Sequence, residues 1–274
     1  MIHYVVENNK FQEDGHASLV EALRDLPNSI VTLVRVIPFT HEIEPLEGIV
    51  PVGDEVVFVF GSTTLMKIAK ERGWLCFTDN LDARSLFTTM GALCTNIDGY
   101  FAKLGDVSFA DKAFVRPVCD DKAFAGQLFT EEEWLQWKQR LESLSPEDNS
   151  QINLDTEVLV SSPKKLLQEC RFWVVDGNIA TGSTYRSNGR PQRMCLTPNH
   201  DSWVFVDQIV RKEISWHLES SPFVVDVALV DGAIPYWSIL ETNCLSGAGL
   251  YAADTKRLTK DLHLFLYQNY ILNL

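Results

Sequence analysis

The chain has 274 residues, 46% hydrophobic and 22% charged, the composition of a globular protein able to bury a sizeable core. A formal charge of −13 excludes a general nucleic-acid or anionic-membrane surface, because such partners need a net basic footprint. No stretch approaches the roughly 20 apolar residues of a membrane helix, and MIHYVVENNK lacks a secretory leader's basic and apolar segments. Six scattered cysteines without a CxxC pair support neither zinc ligation nor a disulfide framework. The expectation is a cytoplasmic protein with reduced thiols.

The first hundred residues alternate apolar runs with amphipathic stretches: IHYVV, SLVEALRDL, SIVTLVRV, EVVFVFG and STTLMKIAKERG. Strand, helix and strand in succession predict an α/β layer with a mainly parallel sheet. Gly61, followed by Ser62 as N-cap, marks a strand-to-helix turn able to hold an anion, although one glycine is not a phosphate loop. From about Asp111 the texture changes. KAFVRPV reads as a strand stopped at Pro117, whose nitrogen cannot donate to a ladder. Thr130 and Glu133 predict a capping box before the helix EEWLQWKQRLESL, whose Trp134 and Trp137 read as packing residues. TEVLVS follows as a strand.

ECRFWVVDGNIATGSTYR predicts a β-hairpin turning at Asp176-Gly177-Asn178. Around it, between Ser161 and Arg193, six basic residues against two acidic ones leave a local charge of +4 in an acidic protein. That segment suits an anionic ligand. A polar, proline-bearing loop from Ser187 to Asp201, a helix over SWVFVDQIVRKEISWHL, a second hairpin over PFVVDVALVDGAIPYWSILETN and a terminal helix from about Asp254 complete the pattern.

The second hairpin carries the chemistry. Trp237, Ile239, Glu241 and Asn243 share one face of a strand, since successive side chains point to opposite faces. Asp226 interrupts the apolar run FVVDVALV, where an ionised carboxylate is costly unless a cation or hydrogen bonds satisfy it. A two-residue turn at Asp231-Gly232 would set Asp226 opposite Trp237, roughly 13 Å from Glu241. A wider turn centred between Ala233 and Ile234 would oppose it to Glu241, and Pro235 favours that looser loop. Both registers leave Asp226 on the face of Glu241 and Asn243. Oxygen donors of this kind suit Mg²⁺.

The run VVDVALVDGAIPYWSILETNCLSGAGLY resembles the C-terminal metal-binding hairpin of ATP-grasp enzymes. FVRPVCDDKAFAG and ECRFWVVDGNIATGSTYR are similar to the nucleotide-binding segments of the ATP-grasp clade named for an arginine–lysine exchange. The resemblance implies an α/β fold with an N-terminal Rossmann-like preATP-grasp domain over residues 1–110. An ATP-grasp domain follows over 111–274, with two α+β lobes at about 111–160 and 161–274. It implies Asp226, Glu241 and Asn243 as magnesium ligands, and Arg116 and Lys122 as phosphate contacts, with Lys122 beside the small Gly126. Glu157 and the main chain of Leu159 and Val160 would meet the adenine, and Arg171 and Arg186 are the catalytic candidates beside phosphate or acyl substrate. The implied activity is an ATP-dependent ligase joining small-molecule or peptide carboxylate and amine substrates through an acyl phosphate, with ATP and Mg²⁺ as cofactors and neither nucleic acid nor membrane as partner. A phosphotransferase and a non-catalytic nucleotide-binding regulator are the alternatives.

Overall fold

The computed structural model describes residues 1–8, 15–38, 40–53, 55–78, 81–119, 124–144, 152–211 and 222–272. The first sheet holds β1 (Ile2–Glu7), β2 (Ser29–Ile37), β3 (Glu42–Glu47) and β4 (Val56–Phe60) in the order β3-β2-β1-β4. β1 runs parallel to β2 and β4, as the alternation of strands with α1 (His16–Arg24) and α2 (Thr63–Glu71) predicts. Both faces of β1 are covered, which is why IHYVV is apolar without alternation. Ser62 caps α2 by accepting from Leu65 N. Strand β3, absent from the sequence reading, pairs antiparallel at the sheet edge, a position that tolerates its Pro45.

After α3 (Ala83–Met90), the second sheet is fully antiparallel. It contains β5 (Tyr100–Lys103), β6 (Lys112–Pro117), β7 (Gln127–Thr130) and β8 (Glu157–Ser161) in the order β5-β8-β6-β7. Helix α4 (Glu131–Glu142) has the predicted capping box between Thr130 and Glu133, and packs by Trp134, whose indole donates to Val107 O at 3.1 Å. β5, ahead of residue 111, pairs with β8 and so belongs to this sheet. Residues 83–96 pack on the third sheet, with Leu86, Met90 and Cys94 in its core and Thr95 N donating to Ile239 O at 2.9 Å.

The third sheet is antiparallel and contains β9 (Leu166–Val175), β10 (Asn178–Ser187), β11 (Arg190–Cys195), β12 (Phe223–Val230) and β13 (Tyr236–Cys244), ordered β11-β10-β9-β12-β13. Asp176 and Gly177, at φ 49° and 67°, form the tight turn read from the sequence. β11 corrects the expected loop after Ser187. Asn188-Gly189, at φ 47° and 74°, is a second tight turn, and its far arm escaped notice because every residue of RPQRMC is exposed.

One face of this sheet packs Phe172, Val225 and Ile239 against α3 and α5 (Asp201–Arg211). The remainder of the helix predicted after Asp201 lies outside the described residues. The opposite face packs Trp173, Val175 and Val224 against the C-terminal helix α6 (Thr255–Tyr270) and the first sheet. None of the six cysteines, all among the described residues, forms a disulfide.

Candidate active site

The hairpin of β12 and β13 settles the position of Asp226. Val230 pairs with Tyr236, so the loop spans residues 231–235 and is centred on Ala233. The short Asp231-Gly232 turn is absent because Asp231 N donates to Lys165 O at 2.9 Å and its carboxylate pairs with Lys165 Nζ at 2.7 Å, extending the strand pairing outward. A bulge at Leu240 supplies one further residue of offset, so Val227 faces Ile239 while Asp226 faces Glu241 directly. Asp226 thus meets Glu241 as the wide-turn reading requires, but through the bulge, which corrects the expected single face: Trp237 and Ile239 turn to the side of Val227, and Glu241 and Asn243 to that of Asp226.

Arg171 stands opposite Asp226 on β9, so a cation and two carboxylates form a row across three strands. Asp226 is 2% exposed, and its oxygens accept from Arg171 Nε at 2.8 Å and Nη2 at 2.7 Å. Asn243 Nδ2 bridges Asp226 Oδ2 and Glu241 Oε1, at 3.2 Å each. Arg116 reaches in from β6 and pairs with Glu241 Oε2 at 3.0 Å. Burial pushes the Asp226 carboxyl up, and the Arg171 fork opposes that shift. Burial works against the charge on Arg171, but Asp226 outweighs it and holds the guanidinium firmly protonated.

Aromatic rings wall this pair. Tyr185 and Tyr251 stack at 5.0 Å and flank the Arg171 guanidinium, 5.8 and 5.2 Å from their centroids. Tyr251 adopts φ 51°, a left-handed conformation unfavourable for a residue with Cβ, so the surrounding contacts hold it there. Tyr185 donates to the buried Glu169 at 3.2 Å, and Arg186 Nη1 pairs with the same carboxylate at 3.3 Å. Burial, reinforced by the charges of Asp226 and Glu169, pushes the Tyr185 phenol far above its ordinary range.

A cavity of about 520 Å³ opens between the second and third sheets, lined by Phe114, Arg116, Gly126, Glu169, Arg186 and Glu241. A Cβ on Gly126 would lie 2.7 Å from the Phe114 ring and 3.0 Å from Arg116 Cβ, so only glycine lets this loop pass so close over β6. A second cavity of about 450 Å³ meets the cluster at Arg171 and Asn243. Among the described residues no group of three His, Cys, Asp or Glu side chains is placed to hold a metal. The available donors are the Glu241 and Asp226 carboxylates and the Asn243 amide, all offering oxygen.

The structure thus brings Arg116, Arg171, Asp226, Glu241 and Asn243 together, with Arg186 linked through Glu169. Three expected residues stand elsewhere. Glu157 is exposed and paired with Arg84 at 2.7 Å. Leu159 and Val160 lie in β8, paired with β5 on one side and β6 on the other, so their main-chain groups are engaged in the sheet and not offered to a base. Lys122 lies outside the described residues. Sequence reasoning missed Glu169, Tyr185 and Tyr251. The i,i+2 spacing of Glu169 and Arg171 on one strand face was a usable signal for the first.

Two lobes of mixed structure with a cleft between their sheets, walled by arginines and carboxylates, define an ATP-grasp protein. A model of the ATP-grasp domain, family 2 of the clade named for the arginine–lysine exchange, matches residues 100–260, and the chain belongs to that family. No curated protein matches the chain. Among solved structures, D-alanyl-alanine synthetase A from Vibrio cholerae is similar over 98% of this chain and 96% of its own, with a TM-score of 0.56 at 14% identity. The RimK domain ATP-grasp protein from Sphaerobacter thermophilus covers 95% and 99%, with a TM-score of 0.54 at 13% identity. The ATP-grasp ligase PsnB, complexed with the precursor peptide PsnA2 and AMPPNP, covers 96% of both chains, with a TM-score of 0.52 at 13% identity. At such identities the likeness is one of fold.

Proposed function

We propose that the protein is an ATP-dependent carboxylate–amine ligase. The observation that carries this reading is the row Arg171–Asp226–Glu241, met by Arg116 at the mouth of a cavity of about 520 Å³. The cavity receives the nucleotide. Arg116 and Arg186 face it as phosphate contacts, and a guanidinium fork suits phosphate oxygens. Lys122, in the loop before Gly126, is the further phosphate contact.

Magnesium fits the donor set, because Mg²⁺ takes one or two carboxylates with substrate phosphates. Glu241 and Asn243 would hold it, with Asp226 behind them. When bound, the ion neutralises the phosphate charge. Arg171, largely buried and anchored by Asp226, supplies a fixed guanidinium beside the reaction. In the reaction proposed, an oxygen of the substrate carboxylate attacks the γ-phosphorus while the bond to the ADP oxygen breaks. The amine nitrogen then attacks the acyl carbon, phosphate leaves, and the amine proton passes to solvent.

The reading also draws support from neighbours of the same fold, one named a D-alanyl-alanine synthetase and another an ATP-grasp ligase complexed with a precursor peptide. No described helix is long and apolar enough to cross a membrane. The test is calorimetric titration with MgATP, followed by product analysis on supplying amino acids and short peptides. An amide with stoichiometric ADP and phosphate is expected. A phosphorylated acceptor without amide would make the protein a phosphotransferase, and binding without ADP release would make it a nucleotide sensor.

A further inference from the structure

The second cavity shares no lining residue with the nucleotide cavity, yet touches the same cluster at Arg171 and Asn243. Its far wall is α2, where Lys67 and Lys70 stand one turn apart, exposed and without an ion pair among the described residues. Among the described residues, Arg171, itself paired with Asp226, is the remaining charged side chain lining it, so that lining carries cations and no carboxylate in a chain of net charge −13. A third cavity of about 200 Å³ shares Gly61, Ser62, Gly247 and Ala248 with the second and ends at Glu7 and His16. Among the described residues, Glu7 is its only carboxylate.

Glu7 is held in place. It ends β1, and its Oε2 accepts from Ser62 N at 2.6 Å, where α2 begins after β4. A Cβ on Gly61 would lie 2.7 Å from that oxygen, so the notch exists because residue 61 is glycine. His16 Nε2 bonds the Glu7 carbonyl at 2.9 Å and closes the compartment beneath it. These groups sit beyond the carboxyl ends of the parallel strands β1 and β4, where open α/β sheets receive ligands.

Resting on the ligase reading above, we propose that the two cavities form one groove for the acid substrate, and that this substrate is an amino acid or short peptide with a free ammonium group. Glu7 takes the ammonium by a charge-assisted bond, and Lys67, Lys70 and Arg171 take the carboxylate end at the reaction cluster. An ammonium clamped by a carboxylate stays protonated and is no nucleophile. The amine at Glu7 therefore belongs to the acid partner and not to the attacking one.

The test uses the full chain with MgATP and hydroxylamine as the nucleophile, which captures an activated acid as its hydroxamate. The panel is both enantiomers of the common amino acids and alanyl dipeptides, each free and N-acetylated. Hydroxamate is expected from a free-amine acid, with at least tenfold lower kcat/KM for its acetylated form. Glu7→Gln, which keeps the acceptor for Ser62 N and loses the charge, is expected to raise KM at least tenfold with kcat nearly unchanged. Lys67→Ala with Lys70→Ala should also raise KM, and all variants should retain MgATP affinity and thermal stability.

Equal use of acetylated acids, no effect of Glu7→Gln, or no turnover of any panel acid by a chain that binds MgATP would overturn the groove assignment. Failure to bind MgATP would instead overturn the ligase reading. Direct binding of the panel acids by saturation-transfer NMR then judges the groove alone, supporting it if binding is lost in Glu7→Gln and overturning it otherwise.

Discussion

Replacing Arg171 by Met removes the cation from a carboxylate that is 2% exposed, and the consequence can be worked from the contacts. Asp226 loses two hydrogen bonds, of 2.8 and 2.7 Å, and among the described residues keeps the Asn243 amide at 3.2 Å. Breaking a buried ion pair by deleting one partner costs about 3–5 kcal/mol, because an uncompensated charge stays behind. Set against a typical total of about 5–15 kcal/mol, that is a large fraction.

The penalty has a pH signature. With Arg171 gone, the Asn243 amide is left to oppose the burial that already pushes Asp226 up, so its folded pKa rises further above the unfolded value of about 3.9. The folded state then binds more protons between the two values, and stability falls as pH rises through that window. Urea denaturation should therefore show a gap between wild type and Arg171→Met that is widest near pH 8 and narrows on acidification. Asp226→Asn in the same background should recover most of the loss. A gap below about 1 kcal/mol that does not change with pH would refute the claim that this pair is buried and mutually dependent.

Glu241→Ala and Asn243→Ala should each abolish ADP release while circular dichroism stays native, and unchanged turnover in both would remove them from the proposed metal site. Arg116→Ala and Lys122→Ala should each weaken MgATP binding about ten- to hundredfold by calorimetry, the equivalent of a charge-assisted contact of roughly 1.5–3 kcal/mol. Unchanged affinity would free either residue from the phosphates. Asp98 accepts from Ser162 Oγ and from Lys164 at 2.7 Å, bracing the link between β8 and β9; partial burial raises its carboxyl, but these partners prevail and hold it below the ordinary carboxylate range. Its contribution is therefore complete above about pH 4 and lost as pH falls through the folded value. The urea midpoints of wild type and Asp98→Asn should differ at pH 7 and converge in acid, and a gap that persists unchanged below pH 3 would dismiss the brace.

Local rules were enough for most of the elements. The capping box of α4, the turn at Asp176-Gly177 and the parallel order of β1, β2 and β4 follow from residue type and spacing, because caps and tight turns are decided within a few residues. Alternation put Glu241 and Asn243 on one face, but the bulge at Leu240 was needed to bring Asp226 to that face and to turn Trp237 and Ile239 to the other. Which strand lies alongside is a long-range matter that periodicity does not encode. Only the assembled sheet chose Arg171 as the cation for Asp226, placed β8 between β5 and β6 so that the Leu159 and Val160 main chains are engaged, and brought Arg116 from another sheet onto Glu241. The bulges at Leu240 and Tyr185 each insert one unpaired residue. They bring Asp226 opposite Glu241 and Arg186 opposite Glu169, a shift of register that no count of apolar and polar positions along one strand can reveal, because a bulge is defined by the partner it fails to pair with.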